Sequence, residues 1–533
     1  MLQPQTHKWI VGILLLLYAV IQSYCIQQLS VNYDEGLFSY YGATILKGRG
    51  NKDIVKFDSK LPITALNMLP RAVEQLCQPR LKRADAYIDI MRGRYISLLV
   101  TVILALFVWA WSTQLYGLPA GLFSCTVFLL CPNFLAHGIF VSSDIFACLF
   151  TTASFYFLWK FNKADKVKYF ILASTMVALA QVAKFSMVHL LLLFPLLMLT
   201  GDFIKGRSMS GRKWSISQLG GLLVLFAVIN WFVICVAHLF YGMFIPLDQY
   251  KFSSTTFQHL QSMLQGAGSW LRIPFPSSYI KSMDAVIYFD HLGGGAAGSL
   301  NGPSYLLGKS SGKGFWYYYF VVLFYKLPLP VLIMLFISVV YYIRTFKRAS
   351  FFQNDVYILL PAMYFIIYLN FFYSTQLGIR HIMIILPLLY IFCGVFLQAA
   401  GKATGVYIIC ALLAWQCISV GRYFPHFLPY TNELIPDKKM AYQKLADSNI
   451  CYGEGGKYLE HYLDLHPGAQ YLPPKIASGQ IIMEVNEMLN LNIATMHKFD
   501  WVRALTPVDH IHSQYLIFEV SPAQADSLKK VHQ

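Results

Sequence analysis

Residues 9–36 read WIVGILLLLYAVIQSYCIQQLSVNYDEG: an apolar run from Trp9 to about Gln27, followed almost at once by Asn32-Tyr33-Asp34-Glu35-Gly36. A run of about twenty apolar residues is long enough to cross the ~30 Å hydrocarbon core of a bilayer as a helix. A single Lys8 precedes it and no Ala-x-Ala-like cleavage site follows, so it reads as a retained anchor. Working outward, similar blocks predict spans near 9–28, 95–113, 119–136, 144–160, 169–184, 186–203, 215–240, 316–343, 354–374, 381–400 and 404–423. Of 533 residues, 56% are hydrophobic and 13% charged, against about a quarter charged in soluble proteins. Mean hydropathy is +0.50. The composition excludes a soluble multidomain enzyme and a disordered or fibrous chain. It predicts a polytopic α-helical membrane protein of about eleven spans.

The formal charge, 42 − 26 = +16, belongs to the loops. With a cytoplasmic N-terminus, the short inner loops hold Lys160, Lys163, Lys166 and Lys168, then Lys205, Arg207, Arg212 and Lys213, then Arg344, Lys347 and Arg348, then Lys402. That satisfies the positive-inside rule. Three long polar segments, 29–94, 241–315 and 424–533, then lie outside, and Lys184-Phe185 forms a tight outer turn between the fifth and sixth spans. Seven of the ten cysteines lie within apolar blocks and Cys25 ends the first, which argues against a disulfide framework. No repeat period and no Gly-rich phosphate fingerprint occur. His510-Ile511-His512 lacks an evident third metal ligand and reads as an exposed strand.

The outer loop 29–94 carries eleven cations, Lys47, Arg49, Lys52, Lys56, Lys60, Arg71, Arg80, Lys82, Arg83, Arg92 and Arg94. Such a field beside a membrane concentrates anions, and a phosphate at headgroup level is the natural client. Adjacent Asp34 and Glu35 at the membrane boundary need compensation, either as a helix N-terminus or as a functional pair. Asp144, in Val141-Ser142-Ser143-Asp144-Ile145, is a carboxylate in an apolar run and invites the same two readings. Lys184 and Arg380-His381 come from other spans yet project to the same face. One outward-facing pocket is therefore expected to hold carboxylates and cations together.

These features resemble the GT-C glycosyltransferases of the protein O-mannosyltransferase and lipid A aminoarabinose transferase superfamily (glycosyltransferase family 39-like). The resemblance rests on Tyr33-Asp34-Glu35, Asp58-Ser59-Lys60-Leu61-Pro62, Arg94, Ser143-Asp144, Ala183-Lys184-Phe185, Ser304-Tyr305-Leu306-Leu307-Gly308, Trp316 to Phe320, Lys326-Leu327-Pro328-Leu329-Pro330 and Gly378-Ile379-Arg380-His381. Phe424-Pro425-His426, Tyr430-Thr431-Asn432-Glu433 and Asp447-Ser448-Asn449 resemble bacterial members. Two departures stand out. Ile450-Cys451-Tyr452-Gly453-Glu454 replaces an Asp-Trp-Gly-Gln stretch, and Leu61 stands where relatives often have a second proline.

The resemblance implies inverting transfer of a sugar from a polyprenyl-phosphate donor to a protein, lipid or glycan acceptor on the extracytoplasmic side. Asp34 would be the base, with Glu35 supporting it and Asp144 fixing donor or cation geometry. Arg94, Lys184, Arg380 and Lys60 would bind the donor phosphate, and Tyr33, Asp58 and His381 would support them. No cofactor is required, although a divalent cation is compatible, and no nucleic acid is expected. The implied setting is the bacterial inner membrane, among membrane lipids. Residues 1–423 are expected to form the catalytic module, with Gly-rich 241–315 as its mobile cover. Residues 424–533 are expected to form a small extracytoplasmic α/β domain. A transporter or flippase for a lipid-linked anion is the rival reading, and a non-catalytic receptor or assembly factor a third. A flippase needs polar residues near the bilayer midplane, whereas the charges here gather at one face.

Overall fold

The computed structural model describes residues 4–47, 62–77, 86–203, 215–264, 266, 270–294, 302–400 and 404–531. Every expected apolar block is helical. The first half contains α1 (Pro4–Gln28), α2 (Glu35–Leu46), α3 (Leu69–Cys77), α4 (Ala86–Tyr116), α5 (Leu118–Leu129), α6 (Pro132–His137), α7 (Asp144–Ala164), α8 (Val167–Ala183), α9 (Leu190–Phe203) and α10 (Ile216–Ala237). The second half contains α11 (Thr255–Met263), α12 (Ser277–Leu292), α13 (Tyr318–Lys326), α14 (Leu329–Arg344) and α15 (Arg348–Phe371). Apolar helices over Met383–Ala399 and Thr404–Gly421 follow.

Among the described residues, four helices are long and apolar enough to cross a bilayer by length and composition: Gln5–Gln28, Asp89–Tyr116, Ile216–Ala237 and Arg348–Phe371. A fifth is reached if α13 and α14 count as one bent span. Of the remaining blocks, α7 is a 21-residue helix and the others give apolar helices of 10–17 residues. Pro132 divides the expected 119–136 span into α5 and α6, since its ring removes a donor and clashes with the preceding turn. The expected span 316–343 turns by 116° between α13 and α14. Pro328 and Pro330 cannot donate to the ladder, and side chains satisfy the carbonyls this frees. Asn432 Nδ2 donates to the carbonyls of Phe324 (2.6 Å) and Leu327 (3.0 Å), while Asn133 Nδ2 donates to that of Lys326 (3.0 Å).

Polar stitches join ends of the helices. Ser97 Oγ donates to the carbonyl of Phe140 and Thr101 Oγ1 to that of Gly138, both at 2.7 Å. The 3₁₀ turn Pro62–Met68 lies against α2 at Gly42, where an added Cβ would sit 2.4 Å from the Thr64 carbonyl oxygen.

The expected cover, 241–315, has structure in its described parts. Strands β1 (Ile245–Pro246) and β2 (Arg272–Ile273) pair antiparallel, as do β3 (Ser304–Leu306) and β4 (Lys309–Ser311). Leu307 (φ 50°) and Gly308 (φ 80°) form the two-residue turn of the second hairpin, the left-handed pair that suits strand twist. Tyr279 anchors the start of α12 by donating to Gln181 Oε1 (3.1 Å). Asp290 anchors its end by accepting from the backbone of Ser374 and Thr375 (2.9 Å each). This region is thus a tethered strap in its described parts, and Gly295 lies outside them.

The C-terminal sheet has strand order β5–β6–β8–β7, with β5 (Gln470–Tyr471), β6 (Gly479–Glu484), β7 (Asp509–Ile511) and β8 (Tyr515–Val520). Only the β5/β6 pair is parallel. His510 and Ile511 lie on β7, and His512 follows it. One face of the sheet packs around Ile481, Met483, Leu516 and Phe518, the other around Ile482, Tyr515 and Ile517. Phe427, Leu428, Tyr430, Leu445, Ile450 and Tyr452 instead share the core of the helical bundle. Residues following 423 therefore begin as part of the membrane-facing module, and the sheet comes later.

Candidate active site

The turn after α1 is built around Asn32. Its Oδ1 accepts from the backbone N–H of Asp34 and Glu35 (3.0 Å each), while Glu35 Oε2 accepts from the Asn32 N–H (3.0 Å). This reciprocal arrangement has the logic of a capping box. Asp34 makes no side-chain cap bond; Asn32 serves the backbone donors. The Asp34 carboxylate is left free for tertiary contacts. Its Oδ2 lies 2.7 Å from Arg380 Nη1 and accepts from the Tyr452 hydroxyl, which also contacts Arg380 Nη1.

Glu35 and Arg94 form a second pair, with both side chains fully buried. Arg94 Nε and Nη2 reach the two Glu35 oxygens at 2.8 and 2.6 Å. Its remaining donors go to the carbonyls of Ile26 and Leu29 (3.3 Å each) and Ser30 (2.5 Å). Glu35 Oε1 also accepts from the Val141 N–H at 2.9 Å. The five N–H groups of a guanidinium are thereby spent. Arg94, expected to bind donor phosphate, therefore has no N–H left over in this arrangement and joins the Asp34 turn to α4, while Glu35 extends the link to the approach to α7.

Asp144 is the first residue of α7, after Ser143, and is buried. Lys184 leaves α8 in an extended conformation (φ −157°, ψ 126°) that turns its side chain back toward α7. Its Nζ lies 2.7 Å from Asp144 Oδ1. The charges of Lys184 and Arg380 both act on Asp144, so the two ion pairs occupy one electrostatic cluster. His381 packs its ring 5.6 Å from that of Tyr373. Asp34, Asp144, Lys184, Arg380 and His381 thus meet as expected. Asp58 and Lys60 lie outside the described residues.

Arg380 sits in a 3₁₀ turn that starts at Gly378 (φ 84°), where an added Cβ would lie 2.4 Å from Ser448 Oγ. The Ile379 N–H donates to Asn449 Oδ1 at 2.9 Å and the Gly378 N–H to Tyr318 Oη at 3.0 Å. Lys326, buried at the α13 terminus, donates to the carbonyls of Leu428 (2.6 Å) and Asn449 (2.7 Å).

Sequence reasoning missed Tyr452. Its ring lies under the Arg380 guanidinium (4.8 Å) and beside His137 (6.3 Å) and Phe140 (6.1 Å). Burial pushes its phenol well above the ordinary value; Arg380 opposes that shift and Asp34 adds to it, so the hydroxyl keeps its proton and donates. The available signal was an aromatic inside the stretch that departs from relatives. Tyr33 donates to Glu484 on β6, which also accepts from Tyr471 (3.1 Å) and Cys451 (3.1 Å). Burial raises the Glu484 carboxyl, and these hydrogen bonds oppose the shift. Tyr33 therefore joins the Asp34 turn to the sheet.

Among the described residues, no group of three or more His, Cys, Asp or Glu side chains is placed to hold a metal ion. Asp34 and Asp144 are each paired to a cation, so the donor set does not suit a dication.

Residues 89–233 match the family model described as dolichyl-phosphate-mannose-protein mannosyltransferase. No curated protein matches the chain. Among solved structures, ArnT from Cupriavidus metallidurans in the apo state is 13% identical with a TM-score of 0.44, over 74% of this chain and 61% of that one. The oligosaccharyltransferase AglB from Archaeoglobus fulgidus, in complex with an inhibitory peptide and a dolichol-phosphate, is 13% identical with a TM-score of 0.42, over 86% and 60%. The chain thus spans about 60% of the length of these two proteins. ArnT bound to undecaprenyl phosphate aligns over 96% and 98% at 11% identity and a TM-score of 0.31. Arg94, Asp144 and Lys184 all fall inside residues 89–233, the stretch over which the chain is similar to that family.

Proposed function

We propose that this chain is an integral-membrane glycosyltransferase that moves a sugar, with inversion, from a polyprenyl-phosphate donor to an acceptor hydroxyl on the extracytoplasmic side. The observation that carries the reading is the convergence of two carboxylate–cation pairs, Asp34–Arg380 and Asp144–Lys184, from four separate segments at one end of the helices. A donor phosphate entering the cluster offers Arg380 a competing anion. As the guanidinium takes the phosphate as its counter-ion, Asp34 is released to accept the acceptor's proton. The acceptor oxygen attacks the anomeric carbon, the bond to the phosphate oxygen breaks, and polyprenyl phosphate departs carrying the added negative charge. Arg380 and Lys184 stabilise that charge where it develops. Tyr452 holds the base through its hydroxyl, and the buried Glu35–Arg94 pair fixes the turn on which the base stands. No step requires a metal.

The test is incubation of the purified, lipid-reconstituted protein with a panel of polyprenyl-phosphate sugars, scoring free polyprenyl phosphate and transferred sugar. Release coupled to transfer supports the reading. Movement of the lipid between leaflets without release refutes it in favour of a flippase.

A further inference from the structure

The last apolar helix, Thr404–Gly421, ends in a cavity of ≈ 280 Å³ lined by Ser419, Arg422, Tyr423, Thr431, Glu433 and Lys438, among others. At ~30 Å³ per water, it has room for a ligand rather than one or two solvent molecules. Its charges are unevenly satisfied. Glu433 Oε1 accepts from Trp415 Nε1 at 3.2 Å, but Oε2 is buried and has no partner among the described residues. Arg422 is exposed, and its guanidinium forms no hydrogen bond or ion pair among the described residues. The two groups line one cavity without pairing. Lys438 does not bridge them, because its ammonium is spent on the carbonyls of Thr431 (2.9 Å) and Asn432 (2.8 Å) and on Thr431 Oγ1 (3.2 Å). A buried unpaired carboxylate oxygen calls for a donor, and an unpaired guanidinium beside it calls for an oxyanion.

We propose that this cavity binds the headgroup of a zwitterionic phospholipid bearing a primary ammonium, as in phosphatidylethanolamine. Arg422 takes the phosphodiester and Glu433 Oε2 takes the ammonium. The site stands at the end of an apolar helix whose Trp415 and Ile418 are 37% and 58% exposed, a surface suited to acyl chains with the indole at the interface. A phosphate alone leaves Glu433 unsatisfied, and a trimethylammonium has no N–H to give.

The experiment uses the delipidated full chain in detergent and scores bound lipid by native mass spectrometry with phosphatidylethanolamine, phosphatidylcholine and phosphatidylglycerol. Ethanolamine lipid is expected to bind about tenfold or more tighter than choline lipid, the scale of one charge-assisted hydrogen bond. Glu433→Gln, which retains an acceptor for Trp415, should abolish that preference. Arg422→Gln should weaken ethanolamine and choline lipids alike, and Arg422→Lys should restore part of the loss. Equal binding of all three lipids by the unsubstituted protein overturns the proposal, as does a preference that survives Glu433→Gln. Binding of soluble glycerophosphoethanolamine as tightly as the lipid would assign the site to a free metabolite and overturn the membrane-lipid source. The readout is independent of sugar transfer, so its failure and the failure of the proposed function are separable.

Discussion

Replacing Asp34 by Asn separates the proposed chemistry from architecture, because the turn's backbone donors are served by another residue. The cap of α2 is Asn32, whose Oδ1 serves the backbone donors of Asp34 and Glu35. The substitution therefore leaves every hydrogen bond of that turn in place. What it removes is a carboxylate that is 37% exposed and paired with Arg380. A partly exposed pair contributes about 1 kcal/mol or less after solvent screening, and the Asn oxygen still accepts from Tyr452. The loss in thermal stability should thus be a few degrees at most. Turnover should fall by a factor of at least ~100, the scale of lost general-base assistance. The assay is single-turnover release of polyprenyl phosphate at saturating donor, alongside the melting temperature of the same preparation. Turnover within threefold of the unsubstituted protein would refute the assignment of Asp34 as base. A collapse of folding would refute the division of labour between Asn32 and Asp34.

Glu35→Gln should behave in the opposite way: it leaves Arg94 buried without its counter-charge, at a cost of about 3–5 kcal/mol, seen as a large drop in melting temperature. Donor affinity per folded molecule should be nearly unchanged. For His512, burial and then the neighbouring His426 and His510 lower the imidazole from its ordinary 6.5 to about 4. Between those values the unfolded chain binds more protons, so stability falls as pH drops from 6.5 toward 4, by roughly 1–3 kcal/mol. His512→Asn should flatten that part of the melting-temperature profile. In a background lacking the exposed Cys77, Cys410 and Cys417, a cysteine at Gly294 should be labelled from outside by an impermeant thiol reagent. One at Ser210 should not, and the reverse pattern would place the charge cluster in the cytoplasm.

Much of this organisation is legible along the chain because hydrocarbon imposes strong rules. An apolar block must satisfy its own backbone, so helices form where the blocks are, and a carboxylate at a block's end has to find a partner. Asp34, Asp144, Lys184 and Arg380 were singled out on that principle, and they meet. Arg94 shows its limit. Position placed it at the outer end of a helix, but only the three-dimensional path of residues 26–30 could show three carbonyls turned onto its guanidinium. Tyr452 was illegible for a different reason. It lies 418 residues from Asp34, in a segment whose hydropathy does not announce that it packs into the bundle core. The bend at Pro328 was marked by two prolines, yet its angle depends on Asn133 and Asn432 capping the exposed carbonyls.

That bend accounts for how a cation at the site is aimed. Lys326 ends α13 just before the break, and there it reaches the carbonyls of Leu428 and Asn449. A buried ammonium donating to two carbonyls holds them in place, since releasing either would leave charge or dipole unpaired in a water-poor region. Asn449, fixed by its own carbonyl, presents Oδ1 to the Ile379 N–H and Nδ2 to Tyr318 Oη at 3.1 Å, and Tyr318 Oη in turn accepts from the Gly378 N–H. Gly378 closes the turn at a positive φ and against Ser448, where a side chain would collide. The backbone of the Arg380 turn is therefore held by α13 and by residues 446–449, while its charge is balanced by Asp34. A guanidinium held by its backbone rather than by its counter-ion can exchange that counter-ion for a phosphate without losing its aim, and the proposed transfer requires that exchange.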